Sequence, residues 1–340
     1  MRGITYDRKR VAQMATKYDG YVAKLFDKYI EQLAMYSYAV DPNKAFAFSQ
    51  VMPKVQVDAI FKEFYNEMYA YMAESASNEW RLSNVKYDKI TSSYLKGTEL
   101  QGSHKLSKLR DTLYDRNQKG LNSFLKRKKY GKTLSNRVWN ITNQFKRDTE
   151  VAMRDIVRVS ITEGTSASKM ATELKKHLKE PNRLYRRVRD KDGVLKWSKQ
   201  AKAYNPGRGV YKSSYQNALR LARTEVNQAF RFADYNRVQS LDFVVGIEII
   251  RSTTPYDCDI CEELKGRYPK DYIFLGHHPN CRCVVKTILA DKKEFDSYLK
   301  ELAQGKDVKF KPSGKITKYP KAYYKYKKVY EKQLKAFKKM

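Results

Sequence analysis

The sequence predicts an α+β chain: a mostly α-helical N-terminal region, then a small α/β domain with a Cys/His loop between two strands, then a basic C-terminal tail. Three observations carry this. Apolar residues recur at spacings of three and four through most of the first 180 positions. Two short β-branched runs, Phe243–Arg251 and Cys283–Leu289, bracket a stretch that holds all four cysteines. After Lys306, lysine and tyrosine dominate, with only Asp307 and Glu331 as acids.

The elements follow in order. Val11, Met14, Tyr18, Val22, Leu25, Tyr29 and Leu33 form one apolar stripe, which predicts a long amphipathic helix. Asp41-Pro42-Asn43 breaks it. A second helix follows Pro53, with Val57, Phe61, Phe64, Met68 and Met72 on one face. Ser103 to Lys126 reads as charged helix ending by Gly131, and Leu134, Val138, Ile141 and Phe145 open another that runs to about Glu163. Gly164 suits a C-cap; a shorter helix, Ser166 to Leu178, ends before Pro181. His104 and His177 sit in polar surroundings and carry no signal. Within 183–198, Val188 and Val194 flank Asp190-Lys191-Asp192-Gly193, the signature of a β-hairpin. A loop at 205–209 precedes a strong helix from Tyr211 to about Ser240. The expected organisation is 1–160 helical region, 161–204 connecting helix and hairpin, 205–292 small α/β domain, 293–340 tail.

Charge narrows the partners. The formal net charge is +32, from 69 Lys+Arg against 37 Asp+Glu. Such a chain repels its own copies and attracts polyanions, so nucleic acid is the expected partner. The tail repels itself too strongly to fold alone. It reads as an arm that orders on a polyanion or on a protein surface, and Lys315, Lys318, Lys321, Lys325, Lys327, Lys328 and Lys335 are its candidate nucleic-acid contacts. The plainer alternative is a solvated, disordered tail. No apolar run nears the roughly 20 residues of a membrane helix, and the N-terminus lacks the apolar core of a signal peptide. No membrane role and a reducing compartment are therefore expected, which favours metal or free thiols over disulfides.

Cys258, Cys261, Cys281 and Cys283 lie within one short stretch that also holds His277 and His278. Cys258-x-x-Cys261 is a knuckle on a tight turn; His278, Cys281 and Cys283 offer the other half of a tetrahedral, zinc-type site. The preferred set is Cys258, Cys261, His278 and Cys281. Sets in which Cys283 replaces His278 or Cys281 remain open, including four cysteines, because both side chains of an extended Cys-x-Cys point the same way. His277, adjacent to His278, diverges from it. A filled site is structural and ties a weakly structured loop between two strands. Disulfides or free thiols are the competing readings. Catalytic metal chemistry fits poorly: an HNH-type nuclease needs a further Asn and His downstream, a zinc deaminase needs His-x-Glu ahead of Cys-x-x-Cys, and a thioredoxin-like dithiol leaves the extra Cys and His without use.

Leu219 to Arg237 (LRLARTEVNQAFRFADYNR), Asp257 to Gly266 (DCDICEELKG) and His278 to Cys283 (HPNCRC), in that order, resemble the head-morphogenesis domain of tailed-phage minor head proteins, the Mu protein F-like family. Glu163 to Leu174 is similar to the helix that precedes that domain. The resemblance spans roughly 160–290. Ile249 and Ile250 stand where the family usually carries a Trp, and Gly276-His277 where it has an apolar or proline residue. The resemblance implies a minor capsid protein that acts in head morphogenesis, found in the virion inside or at the portal vertex and in host cytoplasm during assembly. Its implied partners are the portal protein, the major capsid or scaffold protein, and packaged double-stranded DNA, and it implies no enzyme. One of Arg223 and Glu225 is expected to reach the cysteine loop and pin its carbonyls or Arg282, and Asn280 to cap the His-Pro turn. Two rivals stand beside it. One is a zinc-knuckle nucleic-acid-binding protein outside any capsid. The other is an ADP-ribosyltransferase-like enzyme, whose letters Arg223, Ser252-Thr253-Thr254 and Glu262 or Glu263 mimic.

Overall fold

A computed structural model describes residues 2–35, 47–50, 52–98, 100, 104–163, 172–176, 187–189, 195–197, 213–252, 258–279, 281–335 and 337. The chain is α+β, mostly helical, with a small antiparallel sheet near the C-terminus. It forms two compact units, each assembled from separate stretches: Met1–Met14, Ala73–Gly131 and Arg223–Met340 in one, Ala15–Met72 and Lys132–Ala222 in the other. The contiguous blocks expected from the sequence do not coincide with these units, because three long helices each contribute to both.

In the second unit the predicted stripes meet. Helix α1 (Arg2–Met35), α2 (Lys54–Leu95) and α5 (Leu134–Glu163) supply Phe26, Tyr29, Phe61, Phe64 and Phe145, all buried. Phe26 contacts Phe64 edge-on at 5.1 Å and Phe145 at 4.7 Å, and Tyr215 at the start of α6 (Ser214–Ser240) at 5.3 Å. Aromatic pairs at such spacings add to the burial term. The N-terminus of α6 is capped from another helix: Ser214 N–H donates to Asp148 at 2.7 Å. Burial pushes the Asp148 carboxyl up to about 6, against that bond. The predicted hairpin forms from β1 (Arg187–Arg189) and β2 (Leu195–Trp197), paired antiparallel. Of the helix expected at 166–178, residues 172–176 are helical; Gly164, His177 and the 205–209 loop lie outside the described residues.

The first unit holds the cysteines. The expected helix over Ser103–Lys126 is broken into α3 (Ser107–Leu113) and α4 (Gln118–Lys126). The break is local chemistry: Asn117 takes φ 45°, and its side chain accepts from Gly120 N–H, capping α4. Strand β3 (Val244–Ile250) lies centrally between β4 (Gly266–Tyr268) and β5 (Val284–Leu289), both antiparallel to it. The Ile250↔Val284 pairing closes the base of the cysteine loop, as the two flanking runs predict. Helix α8 (Lys292–Ala303), N-capped by Asp291, packs Phe295 against Phe243 and Tyr94.

Two buried ionic groups knit this unit together. Lys86 lies between Asp7 (2.8 Å) and Asp234 (2.9 Å), and Ser83 donates to Asp234. Arg10 bonds Glu79 at 2.7 Å and Asn227 at 2.9 Å and stacks on Phe230. Their charges, though buried, are paired and hydrogen-bonded, which burial demands. Lys86 is accordingly held charged: burial opposes this, and the two aspartates outweigh it.

The tail is not a separate arm. Residues 306–320 cross the sheet, with Ile316 N–H bonded to Val245 O and its side chain filling the space a Cβ would take at Gly246. Helix α9 (Lys321–Leu334) then packs Tyr323 and Tyr330 on Tyr268 and Tyr272, and Leu334 and Phe337 join Trp80, Phe124 and Phe232. Self-repulsion among the lysines is overcome by this aromatic face, and the protein surface on which the tail orders belongs to its own chain. No helix among the described residues is long and apolar enough to cross a membrane.

Candidate metal centre

The loop between β3 and β5 opens with the short helix α7 (Asp259–Glu263), which carries Cys261 inward with Cys258 at its N-cap. The chain then forms β4 and returns through Tyr272–Cys283. Gly276 sits at φ +102°, in the left-handed region, and a Cβ there would collide with Arg231, so glycine is required twice over.

The five predicted ligands converge. His278 Nε2 lies 3.3 Å from Cys258 Sγ and 3.2 Å from Cys261 Sγ, and Cys261 Sγ lies 3.9 Å from Cys281 Sγ. Ligand atoms of Cys258, Cys261 and His278 fall within 4.8 Å of one another, as do those of Cys261, Cys281 and Cys283. Cys261 belongs to both groups. All four cysteines are free thiols. Zinc–sulfur bonds of about 2.3 Å imply sulfur–sulfur edges of about 3.8 Å in a tetrahedron, close to the spacing here and far from the ~2.0 Å of a disulfide. These residues could hold a metal ion. The imidazole is oriented for it: His278 Nδ1 donates to Pro279 O at 2.7 Å, which turns Nε2 toward the sulfurs.

The sulfurs already share charge. Hydrogen bonds with Cys261 and Cys283 hold the Cys281 thiol well below its ordinary value, and the Arg231 guanidinium adds to them. Cys261 is pushed up by its bonds to Cys281 and Cys283. For Cys283 the bond to Cys261 favours the thiolate, but the bond to Cys281 and burial outweigh it and raise the thiol to about 12. One thiolate stabilised by two thiols is a donor set whose chemistry suits a cation. His277 diverges, as expected: it packs on Phe274 at 5.0 Å, and burial lowers it to about 4, leaving it neutral.

Helix α6 pins the loop, through residues that sequence reasoning did not single out. Arg231 donates to Leu275 O (3.0 Å), Cys281 O (2.9 Å) and Cys283 O (2.8 Å), with its guanidinium over Phe274. Asn227 donates to Cys281 O at 2.9 Å and accepts from Arg10. Of the pair expected on α6, Glu225 is buried against Arg127 at 2.5 Å, and Arg223 lies on the same helix. The signal that could have found Asn227 and Arg231 is their spacing of four, which puts them on one helical face with Arg223. Arg282 is half-buried and has no partner among the described residues; Asn280 lies outside them.

Residues of the rival enzyme reading lie apart in role. Arg223 is helical, Glu262 pairs with Arg251 and Lys265, and Glu263 accepts from Lys325 and Tyr326. Ser252 follows β3, and Thr253 and Thr254 lie outside the described residues. Among the tail lysines, Lys315, Lys318, Lys321, Lys327, Lys328 and Lys335 are exposed, and Lys325 bonds Glu263. Compared with protein-family models, curated proteins and solved structures, the chain matches none.

Proposed function

We propose that this chain is a minor head protein of a tailed phage, of the Mu protein F-like kind, acting in head morphogenesis at the portal vertex. It meets the portal protein and the major capsid or scaffold protein there, and its basic surface contacts packaged double-stranded DNA. The metal is zinc, held structurally by four of Cys258, Cys261, His278, Cys281 and Cys283, and the chain is not an enzyme. Zinc suits a site of thiolates and one imidazole closed by protein ligands.

One observation supports this reading above the others. The two sequence blocks that carry the resemblance, 219–237 and 257–283, meet: Asn227 and Arg231 of the first hold carbonyls of the second. A chance likeness of two separate motifs gives no reason for them to interlock. The charge of +32 supports the DNA contact independently, through counterion release on phosphate binding.

Location is the test. Purified virions and proheads of a phage that encodes this chain are analysed by quantitative mass spectrometry. Few copies per particle are expected. Absence from both particles removes the head-protein reading and leaves a zinc-knuckle nucleic-acid-binding protein outside the capsid.

A further inference from the structure

All the lysines of α9 but Lys327, together with Lys335 at its C-cap, lie on one side of the helix. Lys321, Lys325, Lys328, Lys332 and Lys335 recur at spacings of four, three, four and three. At about 100° per residue they form one stripe, on the side opposite Tyr323 and Tyr330. The stripe is about 21 Å long from the helical rise. All five lysines are exposed, and only Lys325 is engaged, by Glu263 of the cysteine loop. Lys321, Lys328, Lys332 and Lys335 have no ion-pair partner among the described residues. The helix has one acid, Glu331, which sits to the side of the stripe and faces Lys327 at 4.0 Å. A face kept only for solubility carries both signs; this one carries a single sign along its whole length. Like charges at such spacings weaken a helix. The helix is held by its buried aromatic face, and an opposing row of negative charge would relieve the repulsion.

We propose that this stripe is a binding surface for the phosphate backbone of duplex DNA, presented on the cysteine loop through Glu263. The inference rests on the DNA contact proposed above and not on the head location. A duplex is favoured over a single strand on two grounds. It carries the denser charge, one per about 1.7 Å of axis, and releases more counterion per phosphate neutralised. Single-strand binding relies on stacking platforms, and the exposed arc offers one aromatic ring, Tyr324. Lys327, paired and off the stripe, is excluded from the surface, and Lys332 is added to it.

The test uses the full chain and a mixed-sequence DNA duplex, with affinity measured by fluorescence anisotropy over a range of salt. The variant Lys321→Gln/Lys328→Gln/Lys332→Gln/Lys335→Gln is expected to lower the slope of log K against log salt by about 3–4, from about 0.9 per phosphate contact. The matching four-fold Lys→Arg variant is expected to keep the slope. An unchanged slope in the glutamine variant overturns the proposal, as does an equal loss in the arginine variant, which would report damage to the fold and not loss of charge. A single strand of equal length bound more tightly than the duplex overturns the choice of duplex. Lysine acetylation of the unaltered chain, read by mass spectrometry, gives a check without mutation: DNA should protect Lys321, Lys328, Lys332 and Lys335 more than Lys327, and equal protection contradicts the stripe. These outcomes separate from the head-protein reading. A chain found in virions with an unchanged slope loses only the stripe; one absent from particles with the slope lost keeps only the stripe.

Discussion

Replacing Arg231 with alanine removes three hydrogen bonds at once and leaves the carbonyls of Leu275 and Cys283 to find other partners, while Cys281 O keeps its bond from Asn227. Arg231 is 4% exposed, so water cannot simply take its place. Each buried polar group left unpaired costs about 1–3 kcal/mol. Partial relaxation of the loop and non-additivity bring the expected loss to about 3–5 kcal/mol, the range for breaking one side of a buried charged contact. A second effect should travel with it. Two of the three carbonyls belong to candidate ligands, and removing such support lowers metal affinity by about 10–100-fold. That loss alone equals about 1.4–2.8 kcal/mol. The assay is zinc competition against a chromophoric chelator, alongside denaturant unfolding at saturating zinc. Arg231→Lys is the informative companion: it keeps the charge but not the planar fork that reaches three acceptors, so it should fall nearer to alanine than to the native chain. If Arg231→Ala loses under about 1 kcal/mol and binds zinc as the native chain does, α6 does not hold the loop as argued.

Other expectations follow from the same geometry. Lys86→Met strands Asp7 and Asp234 as buried, unpaired carboxylates and should cost about 3–5 kcal/mol in denaturant unfolding; a cost within ~0.5 kcal/mol of zero contradicts the ionic reading. The Asp148 carboxyl, raised to about 6 in the folded chain from 3.8, binds its proton more tightly folded than unfolded. Its contribution therefore falls as pH rises from about 4 to about 6 and is flat above that; Asp148→Asn should remove this segment of the stability–pH profile, and an unaltered profile in that window counts against it. Deleting residues 306–340 should do more than weaken DNA binding: it uncovers the stacked Tyr268 and Tyr272, so the truncated chain should bind a hydrophobic dye and melt earlier than the native one. An unchanged melt would restore the picture of a free arm.

Much of the fold was legible because its helices are governed by local periodicity. Every residue of the α1 stripe, from Val11 to Leu33, is buried, and so are Val57, Phe61, Phe64, Met68 and Met72 in α2. The two strands around the cysteine loop were legible for the same reason, and rare residues clustered in sequence pointed to convergence in space. What escaped was set by distance along the chain or masked by charge. Arg10 and Asn227 are 217 positions apart, and no local pattern joins them. Strand β4 is three residues long and exists only because β3 pairs with it. The docking of α9 was hidden because its lysines dominate the composition, while Tyr319, Tyr323, Tyr330, Leu334 and Phe337 carry a helical apolar spacing between them. Arg231 was missed because a helical arginine looks solvent-facing until the loop that it holds is folded over it.

The claim on which the rest depends is that thiols from both ends of the loop share one cation with His278. Zinc content of the full chain, purified under reducing conditions and paired with thiol counting before and after chelation, tests it most directly. The account predicts about one zinc per chain, thiols that react slowly with the metal in place, and four that react readily once it is stripped. Less than about a tenth of an equivalent of zinc, with all four thiols reactive from the start, would contradict it.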